Sequence, residues 1–122
     1  MSQYSELPVF EEDKETLETY FQKDTWTLLY FTASWCGPCK QVYPSLCALN
    51  DKLPYVTIVK VDIDVNTDTV DQRTIRSVPH FELYVKDKLF GTCSGADILQ
   101  VADLLSRCKQ SKDNERQGNK DE

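Results

Sequence analysis

Trp35-Cys36-Gly37-Pro38-Cys39-Lys40 is the most informative segment of this chain, because two cysteines separated by two residues can close a small disulfide. Gly37 turns without steric cost, whereas Pro38 fixes φ near about −65° and suits the first turn of a helix. We therefore expect the pair where a strand ends and a helix begins. The unpaired amides and the positive dipole end at such a position favour a thiolate over a thiol. The segment predicts a redox-active dithiol.

A Cys-x-x-Cys pair can also supply half of a tetrahedral zinc site, which needs a second pair of ligands. The remaining candidates are Cys47, Cys93, Cys108 and the single histidine, His80, and no two of them are spaced as a ligand pair. A metal-binding loop requires neither the aromatic residue before the first cysteine nor the Gly-Pro between the two. The sequence therefore predicts no metal site.

The rest of the chain predicts strands alternating with helices. Strands are expected in apolar or alternating runs rich in strand formers: residues 7–10, 27–33, 55–62, 81–86 and 89–93. Helices are expected where apolar residues recur at spacings of three and four: from Glu11, and over 36–52, 68–75 and 96–108. Pro44 lies inside the second helix and predicts a kink. This order predicts an α/β fold with a central mixed five-stranded sheet and helices on both faces.

Composition indicates one ordinary globular domain. The 122 residues are 40% hydrophobic and 28% charged. A net charge of −6 argues against a nucleic-acid partner, and no apolar run approaches the ~20 residues of a membrane span. We expect one domain over residues 1–108. Residues 109–122 carry no large apolar side chain and predict a disordered polar tail, with a docking tail as the alternative.

Cysteine usage indicates the compartment. Five cysteines with only one closely spaced pair do not resemble a secreted disulfide framework, and the first residues carry neither a basic region nor an apolar core. We therefore expect a reducing compartment, the cytoplasm. Cys47, Cys93 and Cys108 are interpreted as small apolar residues, with a regulatory or dimer-forming thiol as the alternative.

The hexapeptide is the active-site sequence of thioredoxins, and the chain resembles that family from about Leu7 to about Cys108. Further matches lie at suitable distances from the dithiol: Pro44, Lys60, Val78-Pro79, Gly91 and Gly95. The resemblance implies a thioredoxin fold in which Pro79 follows a cis peptide bond and faces the dithiol. The backbone of Val78 would then offer an edge for an extended substrate.

The resemblance also implies an activity, the reduction of protein disulfides. Cys36 would be the nucleophile and Cys39 the resolving cysteine. A docking surface would surround them, formed by Trp35, Gly37, Pro38, Val78, Pro79 and Gly91. The expected partners are disulfide-containing proteins and an NADPH-dependent thioredoxin reductase, with no cofactor bound to the chain itself, which is expected to be a monomer.

Three residues are expected to tune the dithiol. Thioredoxins usually carry a buried Asp at the position of Tyr30. Tyrosine stays protonated near neutral pH, so it is a poorer base there than Asp. Lys60 lies within an apolar strand, and the family places it beneath the active site near an acid. His80 stands where Thr is more common and titrates in a useful range. These departures keep two alternatives open: a more oxidising isomerase or oxidase, and a binding module in which redox chemistry is incidental.

Overall fold

A computed structural model of the chain describes residues 4–22 and 24–120, with side chains as far as residue 112. The elements follow one another in this order: α1 (Glu18–Phe21), β1 (Trp26–Thr32), α2 (Gly37–Lys52), β2 (Val56–Asp62), α3 (Thr67–Asp71), β3 (His80–Val85), β4 (Lys88–Ser94) and α4 (Ile98–Lys120).

The strands form one mixed sheet in the order β2-β1-β3-β4. β1 runs parallel to β2 and antiparallel to β3, and β3 forms the expected hairpin with β4. Six of the seven residues of β1 are buried, which explains its near-continuous apolar sequence. The prediction of a mixed sheet in an α/β fold is confirmed.

The core consists of two apolar clusters, one on each face of the sheet. One cluster contains Tyr30, Phe81 and both cysteines of the dithiol, together with inward residues of α2 and α4. The other contains Leu29 and Phe31 and packs against residues of α1 and α3. Alternate residues of β1 therefore point to opposite clusters, as strand geometry requires.

The prediction of a fifth strand over residues 7–10 is wrong: the sheet has four strands among the residues that the structure describes. The segment makes a single parallel bridge, between Val9 and Lys60. Phe10 N–H donates to the Lys60 carbonyl and Lys60 N–H donates to the Pro8 carbonyl, both at 2.9 Å. Pro8 has no N–H to donate, so the pairing does not extend into a strand.

The helix expected from Glu11 is also shorter than predicted, since α1 covers only Glu18–Phe21. Glu12 lies in a turn, where its N–H donates to Asn66 Oδ1 at 2.8 Å. Its carboxylate accepts from Thr69 N–H at 2.9 Å, and these long-range bonds hold the segment in a non-helical path.

The last helix is longer than predicted, because α4 continues past Cys108 to Lys120. Lys, Gln, Glu and Arg favour helix, and extending an existing helix needs no new nucleus. The division of the chain at residue 108 stays a prediction, and residues 121–122 lie outside the described part. No helix within residues 4–22 and 24–120 has the length and apolar character that crossing a membrane requires.

Candidate active site

The dithiol lies where β1 has ended and α2 begins, as the sequence predicts. Cys36 is the N-cap of α2, and Gly37 and Pro38 are its first residues. Cys36 and Cys39 form a disulfide, with their Cα atoms 5.3 Å apart. The helix thus starts at the redox centre itself.

The two sulfurs are not equivalent. Cys39 N–H donates to Cys36 Sγ at 3.2 Å, and Cys36 is 4% exposed against 1% for Cys39. In the reduced chain the same N–H and the N-terminus of α2 favour a thiolate on Cys36. This geometry supports Cys36 as the nucleophile and Cys39 as the resolving cysteine.

A second loop faces the disulfide. The Val78–Pro79 peptide bond is cis, as the family resemblance implies. Cys36 Sγ lies 3.6 Å from the carbonyl oxygen of Val78. Gly95 N–H donates to the Pro79 carbonyl at 2.9 Å, and Gly95 has a φ of +97°, which only glycine adopts readily. The hydrogen bond from Gly95, which directly follows β4, therefore holds the Val78–Pro79 loop against the dithiol.

Gly91, which was assigned to the docking surface, lies elsewhere. Gly91 pairs with Leu83 within the hairpin, whereas His80, the residue after Pro79, pairs with Ser94. Leu83 and His80 are three residues apart on β3, so the two pairs are separated by about 10 Å along the strand. A Cβ atom on Gly91 would lie 2.9 Å from Leu104 Cδ1, so this glycine permits close packing of α4 on the sheet. Gly95 is the glycine beside Pro79, and it was not among the docking residues predicted from the sequence.

Trp35 presents a large apolar surface beside the disulfide, since 66% of it is exposed. Its indole Nε1–H donates to Asp64 Oδ2 at 2.9 Å. Asp64 follows β2, and its own N–H donates to Asp62 Oδ1 at 2.8 Å. Asp64 was not predicted from the sequence, because nothing in the sequence places it beside Trp35. The parallel pairing of β1 with β2 brings the two residues together.

A pocket of about 260 Å³ lies beneath Cys39. Tyr30 and Lys60, which pair across β1 and β2, both line it, so the structure brings these two predicted tuning residues together. Lys60 Nζ lies 5.3 Å from the centre of the Tyr43 ring. Asp62 is the one carboxylate among the lining residues described, and the buried acid that the family usually carries at the position of Tyr30 is replaced by a phenol.

His80 belongs to a different cluster, on the face of β3 opposite Phe81. Its Nδ1 lies 2.8 Å from Ser94 Oγ, and its ring is tilted over Phe31 at 5.9 Å between centroids. Its Nε2 lies 3.9 Å from Glu82, which is hydrogen-bonded to Arg73 at 2.8 Å. Burial, the largest cause, lowers the pKa of His80, while the Glu82 carboxylate opposes this effect and Arg73 adds to it.

The other three cysteines lie outside the disulfide. Cys47 and Cys108 are buried and Cys93 is half-buried, where burial raises the pKa of its thiol. Over the described part of the chain, no group of three or more His, Cys, Asp or Glu side chains is arranged to hold a metal ion.

A dithiol at the start of a helix, opposite a cis-proline and on a mixed sheet, defines a class of thioredoxin-fold proteins. The family model described as "Thioredoxin" matches residues 8–109, and the chain belongs to this family.

Two curated relatives and one solved structure illustrate the similarity. Thioredoxin O1, mitochondrial, of Arabidopsis thaliana is 34% identical over 83 residues, which are 66% of this chain and 43% of that protein. Thioredoxin of Chlamydia trachomatis is 46% identical over 61 residues, 50% of this chain and 60% of the relative. The match thus spans less than two thirds of either relative. The crystal structure of Chlamydomonas reinhardtii thioredoxin f2 superposes with a TM-score of 0.75 and 31% identity, covering 83% of this chain and 94% of that one.

Proposed function

We propose that this chain is a thiol–disulfide oxidoreductase that reduces protein disulfides through Cys36 and Cys39. The observation that carries the proposal is the Cys36–Cys39 disulfide at the N-terminus of α2, with Cys36 Sγ against the Val78 carbonyl. Membership of the thioredoxin family supports the same activity.

The cycle begins with the reduced dithiol. The Cys36 thiolate attacks one sulfur of a substrate disulfide, forms a mixed disulfide and releases the first substrate thiolate, which takes up a proton. Cys39 then loses its proton and attacks Cys36 Sγ. The Cys36–Cys39 bond forms, the mixed disulfide breaks, and the second substrate thiolate leaves and is protonated. Two electrons pass from the chain to the substrate, Cys39 releases one proton, and the solvent supplies the other.

Substrates dock on the apolar surface around Cys36. Trp35 is exposed and oriented by Asp64, and Gly37 and Pro38 form the first turn of α2 beside it. Val78 and Pro79 provide the opposite side, where an extended substrate segment pairs with the backbone. Gly95 replaces Gly91 in this surface, because it contacts Pro79 directly.

An NADPH-dependent thioredoxin reductase returns the electrons to the dithiol, and the family resemblance supports this partner. The chain works in the cytoplasm as a monomer. The dithiol carries both electrons itself, so the cycle requires no bound cofactor. The three cysteines outside the disulfide are compatible with a reducing compartment.

The decisive experiment is reduction of insulin disulfides with NADPH and a thioredoxin reductase. We expect the wild-type chain to be active and Cys36→Ser to be inactive. Cys39→Ser should accumulate a mixed disulfide with the substrate, because the resolving thiol is missing. Cys93→Ser is the matched control and should keep full activity. Full activity in Cys36→Ser would refute the proposal.

The reduction potential separates this function from a more oxidising isomerase. That second candidate is kept because the neutral Tyr30 hydroxyl, rather than a carboxylate, lies beside Cys39. The reduction potential is about −270 mV for thioredoxin and about −180 mV for protein disulfide isomerase. Equilibration in thiol/disulfide buffers should give a value near the lower figure, and one near the higher figure would favour the isomerase.

A further inference from the structure

Tyr30 has a hydroxyl group that is fixed in space. The side chain is 1% exposed and lies on the central strand β1. Its ring stacks on that of Phe81, its pairing partner in β3, with 5.4 Å between centroids and 15° between planes. A ring packed in this way has no alternative rotamer without opening the core.

The hydroxyl of Tyr30 donates a hydrogen bond to the carbonyl oxygen of Cys39 at 2.9 Å. Burial, the largest cause, raises the pKa of Tyr30 above its usual range, so the phenol stays protonated near neutral pH. A protonated phenol donates to a carbonyl but does not take up the proton of a thiol. Tyr30 is therefore a neutral donor, and its contact with Cys39 does not change between about pH 6 and pH 9.

Cys39 is thus held from two sides. Its carbonyl accepts from Tyr30 on the sheet, and its N–H donates to Cys36 Sγ at 3.2 Å. The helix beyond this turn is weakened, because Pro44 has no N–H for the carbonyl of Lys40. The bond from the sheet therefore stabilises the turn whose N–H points at the nucleophilic sulfur.

We propose that Tyr30 is a positioning residue of the redox site. It fixes Cys39 in the position from which the N–H of Cys39 stabilises the Cys36 thiolate. The inference rests on the proposed dithiol cycle, in which that thiolate is the attacking group. Tyr30 acts through Cys39 and makes no contact with the substrate.

The test compares Tyr30→Phe with Tyr43→Phe. The first change removes the hydroxyl and keeps the ring that stacks on Phe81. The second removes a hydroxyl that lines the same pocket but accepts from Leu7 N–H at 3.2 Å, away from Cys39. Each chain is fully reduced, and alkylation of Cys36 by iodoacetamide is followed from pH 5 to pH 10 by mass spectrometry, after circular dichroism has established that the variant is folded.

We expect Tyr30→Phe to move the alkylation profile of Cys36 to higher pH by about half a unit, which lowers the rate below the thiol pKa about threefold. Tyr43→Phe should leave the profile within about 0.2 unit of wild type. Coincident profiles for Tyr30→Phe and wild type would overturn the proposal even if the variant were less stable, since a merely structural role lowers stability without moving the profile. An equal shift in Tyr43→Phe would also overturn it.

The assay uses neither a protein substrate nor a reductase. If the wild-type chain failed to reduce insulin, the proposed function would fall while the profiles still tested the role of Tyr30. If instead the profiles coincided while insulin was reduced, only the role of Tyr30 would fall.

Discussion

At the scale of single residues, His80 follows Pro79 and lies 3.9 Å from Glu82, and we expect it to make the stability of the fold depend on pH. Burial is the main reason that the pKa of His80 is lowered in the folded chain. Glu82 raises this pKa and Arg73 lowers it further, and the net shift is downward. The unfolded chain therefore binds the proton first as the pH falls below about 6.5. Stability should decrease from there down to the lowered folded pKa and then level off.

Replacing His80 by Gln should remove this dependence. Urea unfolding of both chains between pH 7.5 and pH 5 would measure it, and the wild type should lose more free energy of unfolding over this range than His80→Gln. Parallel curves would show that His80 does not titrate differently in the folded and unfolded states.

Gly91 gives a second prediction at this scale. Gly91→Ala places a Cβ atom 2.9 Å from Leu104 Cδ1, and Leu104 is itself buried. We expect a loss of roughly 1–2 kcal/mol in the free energy of unfolding, because the packed leucine must shift. Gly37→Ala is the control, since its Cβ would meet nothing within 4 Å. Equal losses in the two variants, measured by urea unfolding, would contradict this explanation.

At the scale of elements, we expect the end of α4 to contribute little to the free energy of unfolding. Lys109 Nζ lies 5.5 Å from the centre of the Tyr55 ring, so the contact with the domain reaches at least that residue. Residues 113–122 contain no apolar side chain. Truncation after Lys112 should therefore change the free energy of unfolding by less than about 0.5 kcal/mol, as measured by urea unfolding. A loss above about 1 kcal/mol would mean that the polar end packs on the domain.

The elements that the sequence predicted well are those whose signal is local. β1, β2 and α2 follow from apolar runs and from Gly37-Pro38, which set both burial and the start of the helix. Residues 7–17 were mispredicted, because some of their backbone hydrogen bonds are made with Lys60 and Asn66. Such partners are distant in sequence, and periodicity within a segment does not reveal them.

At the scale of the whole molecule, Asn66 connects segments more than 50 residues apart. It is fully buried, its Nδ2 donates to the carbonyls of Phe10 at 3.3 Å and Asp62 at 3.0 Å, and its Oδ1 accepts from Glu12 N–H at 2.8 Å. Asn66→Ala leaves these backbone groups without the bonds, and we expect a loss of roughly 2–3 kcal/mol in the free energy of unfolding.

The control for Asn66 is its exposed neighbour Thr67. Thr67→Ala should stay within about 0.5 kcal/mol of wild type. Guanidinium or urea unfolding measures both variants. If Asn66→Ala were as stable as Thr67→Ala, the N-terminal segment would not depend on this side chain.

The same distinction applies to the site. Its cysteines and the docking residues Trp35, Gly37 and Pro38 occupy one continuous segment, so their chemistry was readable from the sequence. Asp64 and Gly95 reach it from other elements, through the pairing of β1 with β2 and the end of β4. Whole-molecule topology determines these contacts. The family resemblance marked Gly95 as a match but not as a docking residue, and no pattern in the sequence marked Asp64.

The hydrogen bond between Trp35 and Asp64 has an optical consequence. It holds an indole beside the Cys36–Cys39 disulfide, and a disulfide quenches an excited indole at short range by accepting an electron. Trp26, the other tryptophan, lies at the opposite end of β1, about 20 Å along the strand, and packs edge-on against Tyr55. Reduction should therefore brighten Trp35 and leave Trp26 as a constant background, so that intrinsic fluorescence follows the state of the dithiol without a label.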